Sequence, residues 1–154
     1  MTETPNFNTM DVSRIQLDIT HVQEFFVLNP LNFPLGDNPE FKIEHQIFLY
    51  RQPQPDRIVA SLTFDLQPVP AMPQEGPVPF CHCVLLFGFQ FPDLPDFIIT
   101  DHAQGEKIAP HLHVTLAALA YSTARGMLIR LTQGTLFQPV ILPVVAPGDL
   151  LRPH

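Results

Sequence analysis

From Arg14 to Glu24, Ile15, Leu17, Ile19 and His21 fall on one parity, and Arg14, Gln16, Asp18, Thr20 and Glu24 on the other. Period two with one wet face predicts a strand. The alternation recurs between Phe41 and Tyr50, where Phe41, Ile43, Ile47 and Leu49 alternate with Lys42, Glu44 and Gln46. It recurs again from Arg57 to Leu66, with Ile58, Ala60, Leu62, Phe64 and Leu66 on the even positions. The short Gln52-Pro53-Gln54-Pro55-Asp56 between these two segments makes them the arms of a hairpin. Phe80 to Phe91 is apolar on both parities and reads as a fourth strand, covered on both faces for part of its length.

Prolines and a glycine mark the connections. Asn29 to Glu40 carries Pro30, Pro34, Pro39 and Gly36, which deny ladder donors and favour turns. Five prolines between Pro68 and Pro79 end the third segment, and Pro92 to Gln104, rich in Asp and Pro, reads as a further loop. The periodicity then changes. Pro110 suits the first turn of a helix and Gly134 its exit, and His111 to Gln133 holds no other proline and no strand-like alternation.

That helix is apolar on every side: Leu112, Val114, Leu116, Leu119, Tyr121, Met127, Leu128 and Leu131 spread round it with four alanines, and Arg125 and Arg130 are its only charges. Such a helix must be covered all round. One sheet covers one side, so a second copy of the chain is expected on the other, as a dimer at least and more fully as a tetramer. Ala117, Tyr121, Arg125 and Leu128, spaced four, four and three, form the stripe expected to meet that copy.

Composition narrows the class. The chain has 154 residues, 45% hydrophobic and 15% charged, which suits a single domain over residues 1–154 with Met1 to Asp11 as a flexible start. Eighteen prolines exceed the usual share of about 5%, but they cluster at connections and indicate no low-complexity region. Fifteen acidic against eight basic side chains, a net charge of −7, argue against nucleic acid as partner. No run of 18 apolar residues exists and Met1 to Met10 lacks a signal-like pattern, so neither membrane insertion nor secretion is expected. Cys81 and Cys83, too close for an ordinary staple, read as free thiols of a reducing, cytoplasmic compartment.

Candidate catalytic chemistry is thin. No two of the seven glycines lie closer than eight residues, so no dinucleotide or phosphate loop can be written, and no cofactor is expected. None of Ser13, Ser61 and Ser122 sits in a Gly-x-Ser-x-Gly elbow. In the triplet Cys81-His82-Cys83 the thiols share one strand face and the imidazole points to the other, so the three cannot converge on a metal. His111 and His113 stand about 200° apart on a helix and cannot chelate together. A small hydrolase using Asp101, His102 and His111 is the enzymatic alternative, but with no second group or pocket in the sequence the protein is not expected to be an enzyme.

Thirteen phenylalanines and no tryptophan leave apolar surface as the main resource. Phe25, Phe26, Phe33, Phe89, Phe91, Phe97 and Phe137 lie in or beside expected loops and are the candidates to line a groove for extended apolar polypeptide.

The segment Tyr121-Ser-Thr-Ala-Arg-Gly-Met-Leu-Ile-Arg-Leu-Thr-Gln-Gly-Thr135, with Pro143 nine residues after Gly134, resembles the end of the long helix in the SecB family of bacterial preprotein-export chaperones. Arg14-Ile-Gln-Leu-Asp-Ile19 resembles that family's first strand and Phe80 to Phe91 its fourth, so the likeness spans Arg14 to Leu151. It implies an α+β fold: a four-stranded antiparallel sheet with a crossover loop, one long C-terminal helix packed on it, and a homotetramer. It also implies an ATP-independent holdase that binds unfolded or precursor proteins for export and passes them to the motor ATPase. Relatives that serve one partner, such as an antitoxin, make a dedicated adaptor the alternative. The family's motor-binding acids match Asp18, whereas the other two positions hold Val22 and Cys83; Glu24 shares the strand face of Asp18 and could replace one of them. Only three residues follow Leu151, so the family's tail contact with the motor is expected to be absent.

Overall fold

The structure, a computed structural model, describes residues 10–30, 33–73 and 75–152. The expected flexible start falls mostly outside these residues. Asp11, within them, caps a single 3-10 turn at Val12–Arg14 by accepting from the Ser13 N–H at 3.0 Å.

Four long strands form one antiparallel sheet: β1 (Gln16–Leu28), β2 (Phe41–Arg51), β3 (Arg57–Pro68) and β4 (Phe80–Gln90), in the order β1-β4-β3-β2. The link from β1 to β2 crosses the sheet, as a crossover loop requires. The even residues of β3 (Ile58 to Leu66) and the odd residues of β4 (Cys81 to Phe89) are all buried, and their register puts them opposite one another on one face. On that face lies α1 (Pro110–Leu131), with β2, β3 and β4 beneath it. The fold class is therefore α+β as read from the sequence.

Pro110 opens α1, where its missing N–H costs nothing. The helix ends at Leu131, and the turn beyond it holds Gly134 at φ +75°, a backbone angle that favours glycine. Its core stripe is Leu112, Leu116, Ala117, Ala120, Tyr121, Ala124 and Leu128. This corrects the expected outward stripe. Ala117, Tyr121 and Leu128 are buried within the single chain, and the Arg125 guanidinium donates to the Leu142 carbonyl at 3.0 Å. The opposite face carries exposed Leu119, Ser122, Gly126 and Ile129. The stripe was misplaced because a helix apolar on every side gives no sequence signal of which side the sheet takes.

Two further differences have local causes. The loop expected from Pro92 to Gln104 contains a 3-10 turn at Leu94–Phe97 and then β5 (Ile98–Asp101), which pairs with β6 (Gly105–Ile108) through a tight turn at Gly105, φ +81°. Strand β1 also breaks strict alternation, with irregularities between Leu17 and Ile19 and between Val22 and Glu24. Leu17 thus stands opposite Phe89 on the core side while Ile19 stands opposite Gly88 on the outer side.

Gly88 sits tight against β1. A Cβ built there would lie 3.0 Å from both the Ile19 Cβ and an Asp18 carboxylate oxygen. Gly88→Val should therefore destabilise the fold by about 1–3 kcal/mol through overpacking. Chemical denaturation would check it: an unchanged midpoint would mean that β1 simply shifts away.

Candidate functional site

Strand β2 is an edge strand, so its apolar side chains meet the helix on one flank and nothing comparable on the other. The odd residues Ile43, Ile47 and Leu49 face the helix side and are half-buried. From the helix, Tyr121 and Val114 approach the same edge, and the last described segment returns across it with Leu150 and Leu151. Tyr121 is fixed by donating to the Pro143 carbonyl at 3.2 Å, which also anchors that segment.

Between them two cavities run along the free edge of β2. One, about 680 Å³, is lined by Ile43, His45, Ile47, Tyr121, Pro143, Leu150 and Leu151, with Glu44, Gln46, Phe48, Asp65 and Arg152 also bordering it. The other, about 500 Å³, is lined by Leu49, Val114, His113, Ile108 and Leu151, and ends at the Arg51–Glu106 ion pair. Leu151 lines both, so the two adjoin there, and together they are called the β2 groove, with Ile43, Ile47 and Leu49 along its strand side. Burial holds the His113 imidazole below its ordinary pKa, which favours the neutral ring in this wall.

The candidate phenylalanines are distributed differently from expectation. Phe89, Phe91, Phe97 and Phe137 are core residues: Phe91 and Phe97 pack ring on ring at 5.4 Å, and Phe137 packs on Phe41 at 5.9 Å. They are closed to any bound molecule. Phe25 and Phe26 are exposed, but on β1 at the far edge of the sheet, and Phe33 is half-buried in the crossover connection. None of the seven lines the groove. The groove residues carried a visible signal, the alternation of β2, but only the strand order makes that strand an edge.

The outer sheet face holds the two expected acids, each beside a nitrogen-bearing side chain of another strand. Asp18 meets Arg57 at 2.9 Å, and Glu24 meets His82 Nε2 at 3.3 Å. On the other side of the ring, His82 Nδ1 is 2.7 Å from Asp65, and Phe80 stacks on it. The Asp65 hydrogen bond, helped by the charges of Asp65 and Glu24 and opposed by partial burial, raises the His82 pKa above the ordinary 6.5. A raised folded-state value means stabilisation fully present below about pH 6.5 and lost as pH rises through the folded value. An NMR titration should place the His82 midpoint above 6.5, and Asp65→Asn should bring it down. A midpoint unmoved by Asp65→Asn would remove the bridge as its cause.

Other candidate chemistry stays dispersed. Cys81 and Cys83 are buried thiols pushed up to about 11 and about 12 by burial, which suits packing rather than nucleophilic attack. Asp101 accepts from the Ala103 N–H at 2.9 Å in the β5–β6 turn, His102 is exposed in that turn, and His111 lies against the Phe97 ring at 5.4 Å. None of the three lines the groove. Among the described residues no cluster of three His, Cys, Asp or Glu side chains could hold a metal ion, and no helix is long and apolar enough to cross a membrane.

Sequence comparison gives no match to a family model or to a curated protein. Solved structures do match. One is a protein of unknown function from Streptococcus agalactiae, at TM-score 0.37 and 14% identity over 84% of this chain and 97% of the other. Another is the Mycobacterium tuberculosis SecB-like chaperone Rv1957, solved in complex with a ChAD peptide from the HigA1 antitoxin. It superposes at TM-score 0.59 and 12% identity over 92% of this chain and 94% of its own. With four antiparallel strands in crossover order and one long helix laid across them, this chain has the SecB-like fold.

Proposed function

We propose that this protein is a chaperone that holds a non-native polypeptide without nucleotide, and that it is dedicated to one partner rather than to a broad set of clients. The observation that carries the proposal is the apolar groove along the free edge of β2. It follows the strand, its helix side is lined mainly by aliphatic side chains with Tyr121, His45 and His113 among them, and polar side chains stand along its rims, as suits an extended chain rather than a small molecule. The dedicated form is favoured by Rv1957, a protein of the same fold bound to a peptide of an antitoxin. Burial at about 25 cal/mol per Å² makes a few hundred Å² of partner surface enough for useful affinity.

Delivery to an export motor is not part of this proposal. Of Asp18 and Glu24, the acids that resemble the family's motor-binding residues, Asp18 is paired with Arg57 of its own sheet and Glu24 shares His82 with Asp65, and nothing in this arrangement favours a motor over the groove as the working surface. The proposed working form is a cytoplasmic oligomer, with the exposed Leu119, Ser122, Gly126 and Ile129 face of α1 as the surface on which copies meet.

The test is selectivity. Soluble yield and aggregation would be compared for the product of the adjacent gene and for a panel of chemically unfolded model proteins, each with and without this protein. Protection of the neighbour's product alone supports the dedicated reading. Equal protection of the whole panel would replace it with general holding, and protection of none would remove the chaperone reading.

A further inference from the structure

Two backbone hydrogen bonds fix which way the main chain of β2 points. At one end the Val69 N–H donates to the Glu40 carbonyl at 2.7 Å, and at the other the Gln52 N–H donates to the Arg57 carbonyl at 3.2 Å. Both belong to the same register, in which Phe41 stands opposite Pro68 and Arg51 opposite Ile58. In an antiparallel pair, residues that bond across the ladder alternate with residues whose N–H and C=O both point away. The even residues of β2 are therefore the ones bonded to β3, and the main-chain groups of Ile43, Ile47 and Leu49 point outward. Among the described residues no strand pairs with that edge.

The same three residues direct their side chains to the helix side, into the groove. Outward main-chain donors and acceptors thus coincide with an apolar trough along one strand of eleven residues, about 35 Å at the rise of an extended chain. Only an extended peptide satisfies both features at once, because a helix has no free main-chain groups to give and a small apolar molecule uses only the trough. The other edge of the sheet is less suited, since β1 is broken by its two irregularities, a common means of blunting an edge.

We propose that the partner segment is bound as a fifth strand added to the free edge of β2. Its alternate side chains enter the trough over Ile43, Ile47 and Leu49 beside Tyr121 and Leu151, and the intervening ones turn to the outer side beside Gln46 and Phe48. The recognised sequence is then an extended stretch with apolar residues at every second position and polar residues between, a stricter requirement than general hydrophobicity. This rests on the reading that the groove holds a partner polypeptide, and it adds the geometry of holding.

The experiment uses the whole protein and two synthetic peptides of about ten residues with one composition. The first alternates Val with Ser and Lys; the second places the same valines at helical spacing. Affinity and amide hydrogen exchange are measured for both. The alternating peptide should bind at least about tenfold tighter and slow exchange of the Ile43, Ile47 and Leu49 amides about tenfold or more. The Gln46 and Phe48 amides, already bonded to β3, should barely change. Ile47→Pro removes an outward N–H without touching the β2–β3 ladder, and should weaken the alternating peptide while chemical denaturation shows the fold retained. Equal affinity for the two peptides, or binding without slowed exchange at the odd positions, would overturn strand addition and leave the chaperone reading standing. If neither peptide binds while unfolded protein is still held, strand addition is likewise overturned; if neither peptide nor unfolded protein binds, both readings fall.

Discussion

Ala117→Glu should yield no stably folded protein. Ala117 is fully buried on the stripe of α1 that packs on the sheet, with Leu116 and Ala120 beside it equally closed to solvent. A glutamate there has no partner for its charge, so it must bury an ion or take up a proton, at a cost of several kcal/mol. The extra side-chain volume adds about 1–3 kcal/mol of overpacking. Against a typical total stability of about 5–15 kcal/mol, the sum removes most or all of it. Circular dichroism should show loss of cooperative thermal unfolding. A variant that stays folded but falls from oligomer to monomer would instead put Ala117 on a contact between copies, contrary to its position here.

The second large effect concerns binding with the fold intact. Ile47→Asp combined with Leu151→Asp puts two carboxylates on the floor and rim of the groove, at side chains that are already half open to water. A bound apolar segment would then have to strip water from both charges, whereas the free protein would not. Affinity for the partner should fall by about a hundredfold or more, about 2.8 kcal/mol at 1.4 kcal/mol per factor of ten. Stability should fall far less than in Ala117→Glu. Calorimetric titration with the partner, paired with chemical denaturation of the variant, separates the two effects. Unchanged affinity would place the binding surface elsewhere, with the exposed Phe25 and Phe26 on β1 as the next candidates.

Most of the architecture was legible in the chain. Period-two runs marked three strands and the apolar run from Phe80 to Phe91 the fourth; β2 and β3 alternate because each has one face toward the helix and one toward water, and Pro110 and Gly134 bracketed α1 because each has a backbone property that the helix ends can use. What escaped depended on three-dimensional neighbours. The two irregularities of β1 change which residues face the core without changing composition. The short β5–β6 hairpin lay in a segment whose Asp and Pro content reads as loop. The side of α1 that meets the sheet was undecidable in a helix apolar all round.

The site was less legible for a related reason. Phenylalanine near a loop marks apolar mass, and the fold placed four of the seven candidates in the core, where the end of β4 and the segments around α1 close over them. The groove instead uses aliphatic residues of β2, and its existence depends on β2 lying at the edge of the sheet, a property of strand order. Leu150 and Leu151 join it only because Tyr121 and Arg125 hold the Pro143 and Leu142 carbonyls, 22 and 17 residues further along the chain. Asp18 and Glu24 were correctly placed on one face, but Arg57 and His82 came from other strands to meet them.

The most direct measurement is light scattering of a chemically unfolded partner protein diluted into buffer without nucleotide, alone, with this protein, and with its Ile47→Asp, Leu151→Asp variant. The expected result is that the unmodified protein suppresses aggregation near stoichiometric amounts and the groove variant, equally folded, does not. Aggregation unaffected by the unmodified protein, or suppressed equally by both, would contradict a chaperone that works through the β2 groove.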